Sequence, residues 1–371
     1  METTAAFDGF VCLDCGERTD ALGRCPDCGG RLDAIYTEEA GDPTVEGVWN
    51  CGAPLPVGPG DAGGTEPGGT PLVDCPELAE EAGVGTFYVK DEGRNPSGSL
   101  ADRGQALAVA GAAAAGAEAL AIPTPGGSGQ ALAAHAARAG LDSQSFVPTR
   151  APFVNKAMVN VHGGDMRVVE GRYPDAVEAF EGHKGRSTRP FDSPLVHEGA
   201  KTLLYEVVAE TEPDHVVVPT GHGATLYGLS KASAELGVAP TLHAAQPAGC
   251  APLVEAFESG GEVEAWETPD TVCGAVEIPD PEGGDLALDA VRESGGTAVA
   301  VEDRDAMGSA VTVAQHEGVG MSPSSGVAAA AAWELAEEGD IGSSESVVVV
   351  NAAEATAAGD VLRSHLMSQG V

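Results

Sequence analysis

The sequence predicts an α/β protein of two subdomains built on parallel sheets, preceded by a small metal-binding module. Three observations carry that expectation. Strand-like and helix-like segments alternate from Thr86 onward, two CxxC pairs fall within the first 30 residues, and 371 residues exceed what one compact core accommodates.

The metal module comes first in the chain. Cys12 and Cys15 read CLDC, Cys25 and Cys28 read CPDC, and nine residues separate the pairs. Each pair is a knuckle whose tight turn brings two thiolates onto one side of an ion. Gly16 and Gly29 directly follow the second cysteine of each pair, where such a turn needs a permissive backbone. Four sulfurs complete a tetrahedral site with no open position, the structural rather than catalytic arrangement of zinc. A zinc ribbon is therefore expected over residues 1–35, and iron in a rubredoxin-like site satisfies the same spacing. Two disulfides are disfavoured, because the N-terminus METTAAFDGF lacks a basic region followed by an apolar stretch and the protein reads as cytoplasmic. Cys51, Cys75, Cys250 and Cys273 show no paired spacing and read as small, partly buried apolar residues.

Composition narrows the partners. Hydrophobic residues make up 43 % of the chain and aromatics 4 %, so buried sheets are expected to pack through small side chains. No apolar run is long enough to predict a membrane span. The net charge of −38, from 57 acidic and 19 basic residues, is spread along the whole length. That distribution reads as a halophilic surface, since concentrated salt screens a self-repelling protein over a few ångströms. No basic stripe exists to neutralise phosphates, which argues against a nucleic-acid partner.

A turn-rich linker over residues 36–69, with VGPGDAGGTEPGG at Val57–Gly69, leads into the alternating region. Strands are expected at Thr86–Asp91, Leu120–Ile122, Ser145–Val147, Arg167–Val169, His215–Val218, Thr241–Ala245 and Val347–Val350. Helices are expected at Asp102–Gly116, Gln130–Gly140, Asn155–His162, Tyr173–Glu181 and Leu226–Leu236. Strand followed by helix, repeated, means parallel sheets covered on both faces, with ligands bound at loops beyond the carboxyl ends of strands. Two such loops are glycine-rich, PGGSG at Pro125–Gly129 and PTGHGAT at Pro219–Thr225. Bare amides at a helix start suit an anion. The candidate phosphate-binding residues are Gly221, His222, Gly223, Ala224 and Thr225, with Gly126, Gly127 and Ser128 as a secondary set.

Several separated motifs, in order, carry a resemblance. They include GGTPL (Gly68–Leu72), YVKDEGRNPSGS (Tyr88–Ser99), ADRG (Ala101–Gly104), GQALAAHAARAGL (Gly129–Leu141), PTGHGATLYG (Pro219–Gly228) and PSSGVAAAAA (Pro323–Ala332). The chain resembles the threonine synthase branch of fold type II pyridoxal-phosphate enzymes, the tryptophan synthase beta-like superfamily. The resemblance implies a large α/β subdomain from residues 70–99 and 200–371 and a small one from 100–199. It also implies where the chemistry should sit, and there the chain departs from the pattern. The family signature NPTGSFKDRG reads NPSGSLADRG here, so Ala101 stands where the Schiff-base lysine belongs and Leu100 replaces an aromatic. A methyl group cannot form an imine. Gly127 stands where SSGNxG has the asparagine that orients the ring hydroxyl. VVVVNAAEATAAGD replaces the C-terminal TGxG, so Asn351–Ala352 or Ala352–Ala353 takes the Thr–Gly place.

The expectation is a diverged, catalytically silent or non-canonical member of that family. It binds a phosphorylated or amino-acid-like ligand, with any pyridoxal phosphate held without an internal aldimine. Homodimerisation, or pairing with an active paralogue that it regulates, is the expected assembly. The alternative is a lyase acting on phosphohomoserine or a serine-type substrate without the lysine, with His222 or Asp102 moving the proton. A second alternative is a zinc-ribbon interaction module riding on an inert scaffold. Ser324 and Ser325, in the PSSG turn, read as a helix cap, and Lys156, Lys184, Lys201 and Lys231 as surface or packing residues.

Overall fold

A computed structural model describes residues 2–60 and 66–370; part of the expected linker, residues 61–65, lies outside the described residues. The chain divides into two compact units, Met1–Gly69 with Asn95–Ala209 and Thr70–Arg94 with Glu210–Val371. The boundary expected between residues 199 and 200 falls inside the unbroken helix Leu195–Glu210, most of which belongs to the first unit.

In the first unit the ribbon is a three-stranded antiparallel sheet, with Phe7–Cys12 between Arg18–Thr19 and Leu32–Tyr36. A four-stranded parallel sheet follows in the order Asp165–Val169, Asp142–Pro148, Ala119–Pro123, Arg186–Ser187. The helix expected from Asp102 begins at Ala101 and runs to Ala114. Asp102 through Ala112 are all buried: the Ala-rich stretch Ala106–Ala112 is apolar all round, while Asp102, Arg103 and Gln105 in the first turns are buried polar groups. The helix packs backbone to backbone on Leu195–Glu210. A Cβ at Gly199 would lie 2.2 Å from the Arg103 carbonyl oxygen, and one at Gly104 would lie 2.8 Å from that of Val196. Only glycine permits that approach.

The second unit holds a six-stranded sheet in the order Ala298–Val301, Thr241–Pro247, His215–Pro219, Ser346–Asn351, Thr86–Asp91, Leu72–Asp74. All pairs are parallel except the last, where Leu72–Asp74 runs antiparallel to Thr86–Asp91. Val216–Val218 and Val347–Val350 are fully buried, the continuous apolar runs of strands covered on both faces. The Ala-rich helix Pro323–Glu338 lies in that unit's main core with Phe87, Val217, Val349 and Met321. Its cap is Ser322, whose side chain accepts from the Ser325 amide, so the cap precedes the Ser324–Ser325 pair expected to provide it. Among the described residues no helix is long and apolar enough to cross a membrane.

Candidate functional site

Each unit presents one of the glycine loops read from the sequence. In the first unit, Asn95–Ser99 leads into the helix that opens at the half-buried Ala101. The next residues are all committed. The Asp102 carboxylate accepts from the Ser97 amide at 2.8 Å and hydroxyl at 2.6 Å, and its other oxygen meets His135 Nε2 at 2.8 Å. Arg103 makes a bidentate pair with Glu206, at 2.9 and 2.6 Å, with neither side chain exposed. Gln105 donates to the Thr188 carbonyl oxygen at 3.1 Å.

Beside this segment Gly126, at φ 145°, caps the helix Gly127–Ala139, and its amide donates to Thr124 Oγ1. A Cβ at Gly127 would stand 3.5 Å from Ser99 Oγ, and that hydroxyl is buried without a protein partner. The loop is clamped from behind: Gln130 donates to the Ser97 carbonyl oxygen, and Asn155 donates to Gln130. A helix N-terminus with an unsatisfied hydroxyl facing it can take an anionic or hydrogen-bond-accepting group.

In the second unit the strand His215–Pro219 runs into Thr220–Gly223 and the helix Ala224–Leu236. Gly223 has φ 90°, and a Cβ there would lie 2.4 Å from the Gly283 carbonyl oxygen. The amides of Ala224 and Thr225 open the helix, which begins two residues ahead of the expected Leu226. His222, in the middle, pairs through Nδ1 with the Glu282 carboxylate, and the Gly283 amide donates to the His222 carbonyl oxygen at 3.1 Å. Glu282 is 7 % exposed at its side chain. Sequence reasoning missed it, because PDPEGG reads only as a turn.

At the end of the valine-rich strand, Asn351 is fully buried and donates to Asp91 at 2.8 Å and to the Gly320 carbonyl oxygen at 3.0 Å. The residues after it, Ala352 and Ala353, carry no polar side-chain atom. Ser325 Oγ is occupied by the Ala353 backbone, accepting from its amide at 3.1 Å.

None of the five lysines lies on the segment opening at Ala101. Lys90 is fully buried and donates to the Thr70 carbonyl oxygen at 2.6 Å. Lys201 is also fully buried, paired with Glu198 at 2.8 Å. Lys156 donates to the Thr149 carbonyl oxygen at 2.7 Å.

The four ribbon cysteines converge, with sulfurs all within 4.8 Å of one another. Cys12 and Cys28 are 3.5 Å apart and Cys15 and Cys25 are 3.8 Å apart, with no disulfide formed. Sulfurs about 2.3 Å from a tetrahedral ion stand about 3.8 Å apart, so the set fits one metal. Gly16 and Gly29 adopt φ 77° and 76° at the knuckle turns. Against desolvation, which raises it, the amides of Cys15 and Asp14 bring the Cys12 thiol down to about 7. The scattered cysteines are all buried, and burial pushes Cys51 up to about 11 and Cys75 to about 12.

Residues 65–352 match the family of pyridoxal-phosphate dependent enzymes. Threonine synthase of Methanosarcina acetivorans is 32 % identical over 363 residues, spanning 91 % of this chain and 89 % of that protein. Threonine synthase of Methanocaldococcus jannaschii is 31 % identical over 297 residues, spanning 76 % and 73 %. Among solved structures, the processed form of threonine deaminase isoform 2 from Solanum lycopersicum superposes with a TM-score of 0.71 at 21 % identity, over 81 % of this chain and 83 % of that one. That likeness speaks for the fold.

Proposed function

Because the chain belongs to the threonine synthase-like branch of the pyridoxal-phosphate dependent enzymes, we propose that it is a diverged member that binds its ligand without covalent attachment. The ligand is a phosphorylated or amino-acid-like small molecule, held at Gly221–Thr225; Gly126–Ser128, in the other unit, is the weaker candidate loop. Its role is to regulate or pair with an active relative rather than to run the family's reaction. The observation that carries this reading is the residue at the helix opening. Ala101 offers a methyl group there, and the buried lysines Lys90 and Lys201 have their ammonium groups engaged elsewhere. Pyridoxal phosphate as an internal aldimine does not fit these residues. Gly127 supplies no side-chain partner for its ring either, and the Thr–Gly place falls to Ala352–Ala353 or to Asn351–Ala352, where the Asn351 amide nitrogen is already engaged by Asp91 and Gly320.

The test is spectroscopic. Adding pyridoxal phosphate to the purified protein should give no visible aldimine band and nothing that borohydride fixes to the chain, while equilibrium dialysis detects reversible binding. A borohydride-sensitive band would overturn the proposal. Zinc is the metal we assign to the ribbon, on its four-thiolate set and sulfur spacing; elemental analysis separates it from iron.

A second reading has one observation in its favour. The Glu282 carboxylate orients the His222 imidazole inside the loop, the arrangement of a general base. In that reading the chain is a lyase that moves its proton through His222. Turnover of phosphohomoserine or serine at catalytic protein concentration with added cofactor, abolished by His222→Gln, would establish it.

A further inference from the structure

We infer that the metal at Cys12, Cys15, Cys25 and Cys28 fixes the position of the helix opening at Ala101, acting through the helix Leu195–Glu210. The chain of contacts lies wholly within the first unit. The ligand Cys12 sits across the ribbon sheet from Leu32, and Asp33 is the next residue along that strand, opposite Val11. Asp33 and Tyr36, from the same strand, reach the helix. Asp33 Oδ1 meets His197 Nε2 at 3.0 Å, and the Tyr36 hydroxyl donates to Glu198. Lys201 closes the group, 2.8 Å from Glu198 and 4.3 Å from the centre of the Tyr36 ring.

His197, Glu198 and Lys201 are fully buried. Asp33, His197 and Glu198 could in principle hold a second metal, since their donor atoms lie within 4.8 Å of one another. The Lys201 ammonium already occupies the cation's place on Glu198, so the cluster is an ionic dock rather than a metal site. The same helix carries the next link. Thr202 and Glu206 receive Arg103, at 3.0 Å for Thr202 and bidentately for Glu206, and Gly199 abuts the Arg103 backbone. Arg103 is two residues from Ala101.

The physical consequence follows from burial. A ribbon without its metal has no core large enough to hold its strands, because small modules of this kind fold on metal binding. Withdrawing Asp33 and Tyr36 leaves His197, Glu198 and Lys201 buried with fewer partners, a state far costlier than the same groups in water. The helix must then shift or open, and Arg103 moves with it. The ribbon is on this view a structural part of the first unit, not a module riding on a scaffold. The proposal does not depend on which ligand the glycine loops bind, and its readout is backbone protection rather than binding.

Hydrogen exchange followed by mass spectrometry tests it on the full chain with metal bound, then stripped by a chelator, with metal content measured in both states. Peptides from Leu195–Glu210 and Ala101–Ala114 should exchange at least about tenfold faster once the metal is gone, while Pro323–Glu338 is unchanged. Faster exchange confined to residues 7–36 would overturn the inference. Equal loss in Pro323–Glu338 would also overturn it, by showing general unfolding. A second variant avoids metal removal. Asp33→Asn with Tyr36→Phe should retain one metal per chain yet expose Leu195–Glu210 to faster exchange; unchanged protection there would refute the relay.

Discussion

The Glu206→Gln substitution isolates the pair that locks the helix opening at Ala101. Arg103 and Glu206 face each other with both side chains at 0 % exposure, so neither charge is shared with solvent. Glutamine keeps one oxygen for the Gly69 amide, which Glu206 Oε1 now accepts at 2.8 Å. Its amide nitrogen then points at Arg103 Nη2 across the present 2.6 Å contact, setting donor against donor. At an effective dielectric of about 20 and a charge separation of about 4 Å, the lost attraction is about 4 kcal/mol. That agrees with the roughly 3–5 kcal/mol typical of breaking one side of a buried pair.

Removing both partners should cost less. Arg103→Met with Glu206→Leu leaves no stranded charge from this pair; it frees the Gly69 amide, a loss of about 1–3 kcal/mol, and removes the Arg103 donor from Thr202. Denaturant titration in molar KCl, followed by circular dichroism, measures all three proteins. The single variant should lose about 3–5 kcal/mol and the double variant should recover part of that loss. Since the pair is buried, the loss should persist as salt is raised. A single-variant loss below about 1 kcal/mol, or one that vanishes in high salt, refutes the reasoning.

Three further outcomes are expected. His243, buried and beside His215, is held down to about 4, below its ordinary 6.5. The unfolded chain therefore takes up more protons between those values, so this group's stabilisation is complete above about 6.5 and is lost as pH falls toward 4. The span is worth about 3 kcal/mol, and His243→Asn, which keeps an acceptor for the Thr297 amide, should flatten the stability profile in that window. Gly223→Ala places a methyl at φ 90° and against Gly283, and should cost at least about 1 kcal/mol and weaken phosphate binding measured by calorimetry. Raising KCl from about 0.1 to about 1 M shortens the screening length from about 10 to about 3 Å, so a chain of net charge −38 should melt at a higher temperature in the stronger salt.

The parallel elements were legible because their chemistry is local. Thr86–Asp91 alternates between turn signals and is a strand over those same residues. The knuckle glycines were legible for the same reason, since their left-handed turns are a property of a few adjacent residues. Leu195–Glu210 was not among the helices expected, although it carries the partners of Asp33, Tyr36 and Arg103. Its buried positions include His197, Glu198, Lys201, Thr202 and Glu206, so no apolar stripe marks the inward face. Those groups become interior only when Asp33, Tyr36 and Arg103 arrive from elsewhere in the chain. Glu282 was hidden likewise, because nothing in a turn of Pro, Asp and Gly marks one carboxylate as the partner of His222.

The same distinction explains how the ADRG segment can carry a family resemblance through packing alone, under the proposal that Ala101 stands in the lysine's place. Asp102 satisfies Ser97 and His135, Arg103 satisfies Glu206, Gly104 admits Val196, and Gln105 ties down the Thr188 carbonyl. Each of these duties is structural and is met inside the first unit. A motif of this kind therefore attests the helix and its packing, and the reaction has to be argued separately from the residue that would perform it. Under the proposed reading that residue is Ala101, which offers a methyl group. The contacts of Asp102, Arg103, Gly104 and Gln105 hold this helix in place whether or not residue 101 takes part in chemistry.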